Sequence, residues 1–191
     1  RSMRELQYTY TQQYALVGFG NHCANNLLPI IQYLQLPLKY IYCTSEKKAN
    51  LISLKYKGIK GTTSLQDILL DDTISGVFVA ANPHSHFHIA TEVIKAGKSL
   101  FIEKPPCKDE RELMSLTDTI KLYGSQHIVV GLQRRFAPAT QILKKRLKGD
   151  SKRHYHYRYL TGLYPEGDTL LDLFIHPLDY VTFLFGEAKI K

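Results

Sequence analysis

Asp172 and His176 stand four residues apart in a stretch that is otherwise apolar, with Leu170, Leu171, Leu173, Phe174, Ile175 and Leu178 around them. On a helix that spacing puts both side chains on one face. A carboxylate one turn from a buried imidazole stabilises the imidazolium and raises its basicity, which is the chemistry of a general base. The plainer reading is a core histidine whose hydrogen bonds are satisfied. Glu103-Lys104-Pro105-Pro106 is the second candidate cluster. A charged pair at the end of a buried strand, fixed by proline, can hold an ammonium towards a substrate hydroxyl. Otherwise it is an ordinary strand-end ion pair.

Gly18-Phe19-Gly20-Asn21-His22-Cys23 follows the apolar run Tyr14–Val17 and precedes a segment with helical spacing. It matches the dinucleotide turn G-x-G-x-x-G with Cys23 in the third glycine's place. In such a turn the first glycine permits a tight bend and the second lets backbone N–H groups approach a pyrophosphate, with Asn21 and His22 beside it. A structural turn is the alternative. At the end of the next strand, where an acid ordinarily takes the ribose 2′-hydroxyl, the chain reads Cys43-Thr44-Ser45-Glu46-Lys47-Lys48. Thr44 in place of an acid, with lysines close by, tolerates a 2′-phosphate and favours NADP over NAD, although Thr44 or Ser45 could equally be a helix N-cap. Asn82-Pro83-His84-Ser85-His86-Phe87-His88 follows a third apolar strand, and its three alternate histidines would share one face if extended. No carboxylate or cysteine completes that set, so no metal site is expected.

These residues need a scaffold. Strands are expected at Leu38–Cys43, Gly76–Ala81, Ser99–Glu103 and His127–Gly131, and helices over Asn25–Leu34, Ser45–Lys57, Ser64–Leu70, His88–Lys95 and Asp109–Tyr123. Strands alternating with helices imply an α/β fold with a doubly wound parallel sheet of Rossmann type. After Gly131 the character changes. A basic helix over Pro138–Lys148, a strand over Arg153–Leu160, a helix over Asp168–Phe185 and the start of a further strand at Glu187–Lys191 suit a truncated α/β (α+β) second domain. The expected division is 1–132 and 133–191. Arg153, Tyr155, Tyr157 and Tyr159 would line one strand face, with His154, His156 and Arg158 on the other. Such a surface also describes RNA binders, the lowest-ranked reading.

Composition sets limits. The 191 residues, 44% hydrophobic and 22% charged, fit one full domain and part of another, well away from disordered compositions. The net charge of +8 attracts anions such as a phosphorylated cofactor or nucleotide-sugar. Three cysteines, an odd number without paired spacing, argue against a disulfide framework and a cysteine zinc site. No apolar run suits a membrane span, and nothing behind Arg1–Glu5 suits a secretory signal, so a cytoplasmic location is expected.

Taken in order, Gly18-Phe19-Gly20-Asn21-His22, Asn82-Pro83 with His86, Glu103-Lys104-Pro105, Gly131-Leu132-Gln133-Arg134-Arg135-Phe136-Ala137-Pro138 and Asp172 with His176 resemble the Gfo/Idh/MocA family of sugar oxidoreductases. The resemblance implies an N-terminal Rossmann domain holding NAD or NADP and a C-terminal domain whose open sheet makes the substrate wall and the contact of a homo-oligomer. It implies reversible hydride transfer between nicotinamide and a hydroxyl-bearing carbon of a sugar, nucleotide-sugar or cyclitol. Lys104, Asp172 and His176 would be catalytic, Glu103 and Pro105 would shape the nicotinamide pocket, and Arg134 or Arg135 would touch cofactor or an anionic group. Two departures stand out: the Asn82–His86 loop is one residue short of the family pattern, and most of the second-domain sheet would follow Lys191. Uncovered, the Leu170–Phe185 helix would expose apolar surface. Three expectations follow: a fragment, cover from another subunit, or a catalytically impaired cofactor-binding or regulatory protein.

Overall fold

The structure, a computed structural model, describes residues 10–125, 127–148, 155–162 and 168–187. The chain divides into two compact units, 1–130 and 131–191.

In the first unit, strands β1 (Gln13–Val17), β2 (Leu38–Tyr42), β3 (Lys60–Thr62), β4 (Ile74–Val79), β5 (Ser99–Ile102) and β6 (Ile128–Val130) form one sheet in the order β3-β2-β1-β4-β5-β6. Every pairing is parallel. Val17 registers with Tyr42 and Val79, Val79 with Ile102, and Ile102 with Val130, so the strands finish in line and deliver their following loops to one edge. The strand order reverses between β1 and β4, and ligands of open α/β sheets bind outside the carboxyl ends at such a point.

Alternate side chains build two cores. Ala15, Val17, Val77, Val79, Leu100 and Ile102 pack with Ala90, Val93 and Ile94 of α4 (Pro83–Lys95) and Leu116 of α5 (Glu110–Tyr123). Leu16 and Ile41 face the other way, against Cys23, against Leu28 and Ile31 of α1 (Leu28–Tyr33), and against Ala49 and Ile52 of α2 (Glu46–Lys55). Burying each such aliphatic chain stabilises the fold by about 1.5–3 kcal/mol. A short helix α3 (Gln66–Leu69) leads into β4.

Several elements differ from the sequence expectation. The helix after the glycine turn opens with a π-helical stretch, Cys23–Leu27, closed by a bond from the Leu28 N–H to the Cys23 carbonyl. Strand β3 carries no hydrophobic alternation. Gly61 lies so near α2 that a Cβ there would sit 2.0 Å from the Ala49 carbonyl oxygen, and this close approach of backbones replaces side-chain packing. Helix α4 begins at Pro83, not His88. Asn82 caps it, its side chain accepting from the His84 N–H at 3.0 Å, with Pro83 preset for the first turn.

The second unit holds a 3₁₀ turn (Gln133–Phe136), helix α6 (Pro138–Leu147), a π-helical stretch (Thr169–Phe174) and helix α7 (Ile175–Phe185). The described part of the expected Arg153–Leu160 strand, residues 155–160, forms no strand; Arg153 and His154 lie outside the described residues, as do 188–191 of the last expected strand. Tyr155 stacks on Phe185 at 4.2 Å, Tyr157 on Tyr180 at 5.6 Å, and Tyr159 meets Arg134. Among the described residues no helix is long and apolar enough to cross a membrane.

Candidate functional site

The edge defined by the ends of β1, β2, β4 and β5 gathers most of the expected cofactor residues. Gly18 ends β1 with φ +94° and donates its N–H to the Tyr42 carbonyl at 3.0 Å. A Cβ on it would lie 2.6 Å from the Ala80 carbonyl oxygen and from Ala81 backbone atoms, so both the left-handed torsion and the packing against the β4 exit require glycine. At Gly20 the opposite holds: a Cβ would meet nothing within 4 Å. One glycine fits the turn to the sheet and the other keeps its outer side open. Asn21 and His22 are exposed beside it. Cys23, in the third position, is fully buried, and burial, with the Glu103 charge adding and the Lys48 charge opposing, pushes its thiol up to about 12. It is a packing residue rather than a nucleophile.

At the end of β2, Ser45 is the N-cap of α2 and accepts from the Lys48 N–H at 3.4 Å. Thr44 is exposed and Glu46 accepts a hydrogen bond from the Thr63 hydroxyl. Lys48 lies 5.4 Å from the centre of the Phe19 ring and donates to the Phe19 carbonyl. It thereby places a cation between the β2 exit and the glycine turn. In the sequence it is one of several lysines, marked out only by its position in the first turn of α2.

His86 does not face the open edge. It is 1% exposed, with Nδ1 2.8 Å from the Pro105 carbonyl and Nε2 3.0 Å from the Ala81 carbonyl. Its role in this structure is to fasten the Lys104-Pro105 turn to the exit of β4. Because α4 starts at Pro83, the exposed His84 and His88 share one face of the helix while the buried His86 points to the opposite side, and among the described residues no group of three or more metal-ligating side chains forms. Asn82 and Pro83 begin that helix at the same edge.

Glu103 follows β5, its N–H bonded to the Val79 carbonyl at 2.9 Å, and its carboxylate lies 3.7 Å from the His22 ring. Lys104 is half-buried, and the Lys104-Pro105 peptide is cis.

In the second unit Asp172 lies within the π-helical stretch and His176 in the first turn of α7; both are half-buried rather than enclosed. The Asp172 carboxylate accepts the Asp168 N–H at 3.1 Å. Arg134 donates to the Tyr159 hydroxyl at 3.1 Å with its guanidinium 5.1 Å from the ring centre. Arg135 is committed to Asp179, its Nε 2.8 and 3.0 Å from the two carboxylate oxygens, which raises its pKa further.

A parallel sheet with this strand order and a bare glycine turn at its reversal defines a dinucleotide-binding Rossmann domain. A family model described as "Oxidoreductase family, NAD-binding Rossmann fold" matches residues 12–131, and the chain belongs to this Gfo/Idh/MocA family. It is 28% identical over 145 residues to an inositol 2-dehydrogenase/D-chiro-inositol 3-dehydrogenase of Lactiplantibacillus plantarum, covering 71% of this chain and 41% of that protein. With an inositol 2-dehydrogenase of Acidothermus cellulolyticus it shares 23% identity over 158 residues, 79% of this chain and 46% of the relative. The crystal structure of GenD2 from gentamicin A biosynthesis, in complex with NAD, superposes with a TM-score of 0.77 at 20% identity, over 100% of this chain and 58% of that one, and so shares the fold. The chain spans about half the length of these relatives.

Proposed function

We propose that the chain is the cofactor-bearing part of an NAD(P)-dependent oxidoreductase acting on a hydroxyl-bearing carbon of a sugar, nucleotide-sugar or cyclitol. The observation that carries this is the turn at the sheet's reversal, where Gly18 is sterically obligatory and Gly20 is open to a ligand. Family membership supports the chemistry, since relatives at 28% and 23% identity are named as dehydrogenases of inositol, a cyclitol.

The cofactor set is Gly18, Gly20, Asn21 and His22 at the pyrophosphate, Thr44, Ser45 and Lys48 at the adenosine ribose, and Asn82, Pro83, Glu103 and Lys104 towards the nicotinamide, with Arg134 as a further contact. The fit is chemical as well as topological: among the described residues a Cβ on Gly20 would meet nothing within 4 Å, and Glu46, next to Ser45 at the β2 exit, is engaged by Thr63. With Lys48 facing the glycine turn and no acid at Thr44, the site favours NADP. When bound, nicotinamide supplies the hydride acceptor or donor. His176 would take a substrate hydroxyl proton with Asp172, four residues before it, orienting the histidine or the substrate, and Lys104 would stabilise charge developing on a substrate oxygen.

Titration calorimetry with NADH and NADPH, followed by a polyol screen for nicotinamide reduction, tests the reading. Micromolar binding with tighter NADPH is expected, with turnover lowered about 10²–10⁴-fold in His176→Ala at unchanged cofactor affinity. No binding of either dinucleotide refutes the function; binding without turnover on any polyol refutes the catalytic half.

A further inference from the structure

The glycine turn and the Glu103 turn leave strands β1 and β5, which flank β4 in the sheet. His22 and Glu103 reach towards each other across the end of β4, Nε2 to Oε1 at 3.7 Å. The histidine is not loosely placed. The Asn26 amide, four residues on, approaches His22 Nδ1 at 3.3 Å and donates to the His22 carbonyl at 3.1 Å. With Nδ1 accepting from that amide, the ring proton resides on Nε2 and faces the carboxylate. Glu103 needs such a partner, because its side chain is only 18% exposed while it stands beside the turn that receives a diphosphate. Its charge already reaches the turn: after burial itself, it is the next cause of the rise in the Cys23 thiol pKa.

We infer that His22, oriented by Asn26, is a positioning residue whose Nε2–H turns the Glu103 carboxylate aside, so that an anionic dinucleotide can cross from the glycine turn to Lys104. The assignment rests on the cofactor reading above. It explains why an imidazole at this exposed position is held from behind by an amide. A carboxylate left free to turn towards an anionic dinucleotide weakens its binding by roughly three- to tenfold in a partly solvated cleft.

The test is a double-mutant cycle on the full chain, with calorimetric Kd values for NADH and NADPH and circular dichroism to verify folding. His22→Ala is expected to lose three- to tenfold in affinity, roughly as estimated from Coulomb's law. Glu103→Gln alone tightens binding, and His22→Ala in that background costs nothing further. The His22→Ala loss shrinks as salt is raised, and His22→Gln, which keeps an N–H for the carboxylate, recovers most of it. An equal His22→Ala loss with Glu103 or Gln at position 103, or no loss at all, overturns the assignment. Failure of the wild-type chain to bind either dinucleotide is a separate result, which removes the cofactor reading and this inference with it.

Discussion

A single methyl group placed on Gly18 and the same group placed on Gly20 should have opposite consequences. At Gly18 the new Cβ would sit 2.6 Å from three backbone atoms of Ala80 and Ala81, at φ +94°. The left-handed torsion costs an L-residue about 1–2 kcal/mol. Relieving the overlap means moving the exit of β4, a rigid neighbour, and overpacking of that kind costs about 1–3 kcal/mol. Together Gly18→Ala should destabilise the first unit by about 2–5 kcal/mol, lowering Tm by roughly 5–20 °C at this domain size. At Gly20 a Cβ meets nothing within 4 Å. Gly20→Ala should therefore melt within a few degrees of wild type, helped by about 0.4–1 kcal/mol of lost unfolded-chain entropy, yet bind dinucleotide at least about tenfold more weakly, since the methyl stands where the diphosphate approaches. Thermal melts and calorimetric titrations on both variants measure the two effects separately. A Gly18→Ala protein that melts like wild type, or a Gly20→Ala protein that binds like wild type, would refute the division of labour between the two glycines.

Two further outcomes bear on the scaffold. Hydrogen bonds from Lys39 and from the Thr73 side chain and backbone hold the Asp71 carboxyl well below the usual carboxylate range. A depressed folded-state pKa contributes stability that is present above the unfolded value, about 3.9, and is lost as pH falls towards the folded one. Asp71→Asn should thus flatten the fall in Tm below about pH 4, measured by melts across acid buffers; an unchanged slope would contradict it. In the second unit, Arg135→Ala strands Asp179, whose side chain is only 8% exposed. A loss of about 1–2 kcal/mol is expected, discounted for the partial exposure of the arginine, and Asp179→Asn in the same background should restore most of it in denaturant titrations.

Much of the first unit was legible because parallel strands covered on both faces are written as short apolar runs between glycine and polar breaks. Gly76–Ala81 and Ser99–Glu103 are of that kind, and each lies within two residues of the observed strand. Strand β3 was not legible, because Lys60-Gly61-Thr62 has no apolar pattern and owes its place to backbone contact with α2. The start of α4 was misread for a different reason. Three alternate histidines suggested an extended loop, whereas Asn82-Pro83 is a cap followed by the residue best suited to a first turn. The site residues divide in the same way. Gly18 and Gly20 were readable from spacing alone, while His86 was placed on the ligand side although the fold turns it inward to Pro105 and Ala81. Local spacing cannot reveal which carbonyls will surround a side chain once a distant turn folds back upon it. Nor could it single out Lys48, whose importance depends on meeting Phe19 from the preceding βα unit.

The π-helical stretch at Cys23–Leu27 bears on how lengths vary in this region. Cys23 and Leu28 are five residues apart, yet both are buried in the same core, a spacing that an α-helix would splay by more than a third of a turn. The wider turn absorbs one surplus residue and returns the helix to phase before Ile31. A one-residue deletion within Ala24–Leu27 would remove that surplus and leave an ordinary α-helix with the same face to the sheet. The segment is therefore a place where kindred chains can differ by one residue while both the glycine turn before it and the core contacts after it keep their registration.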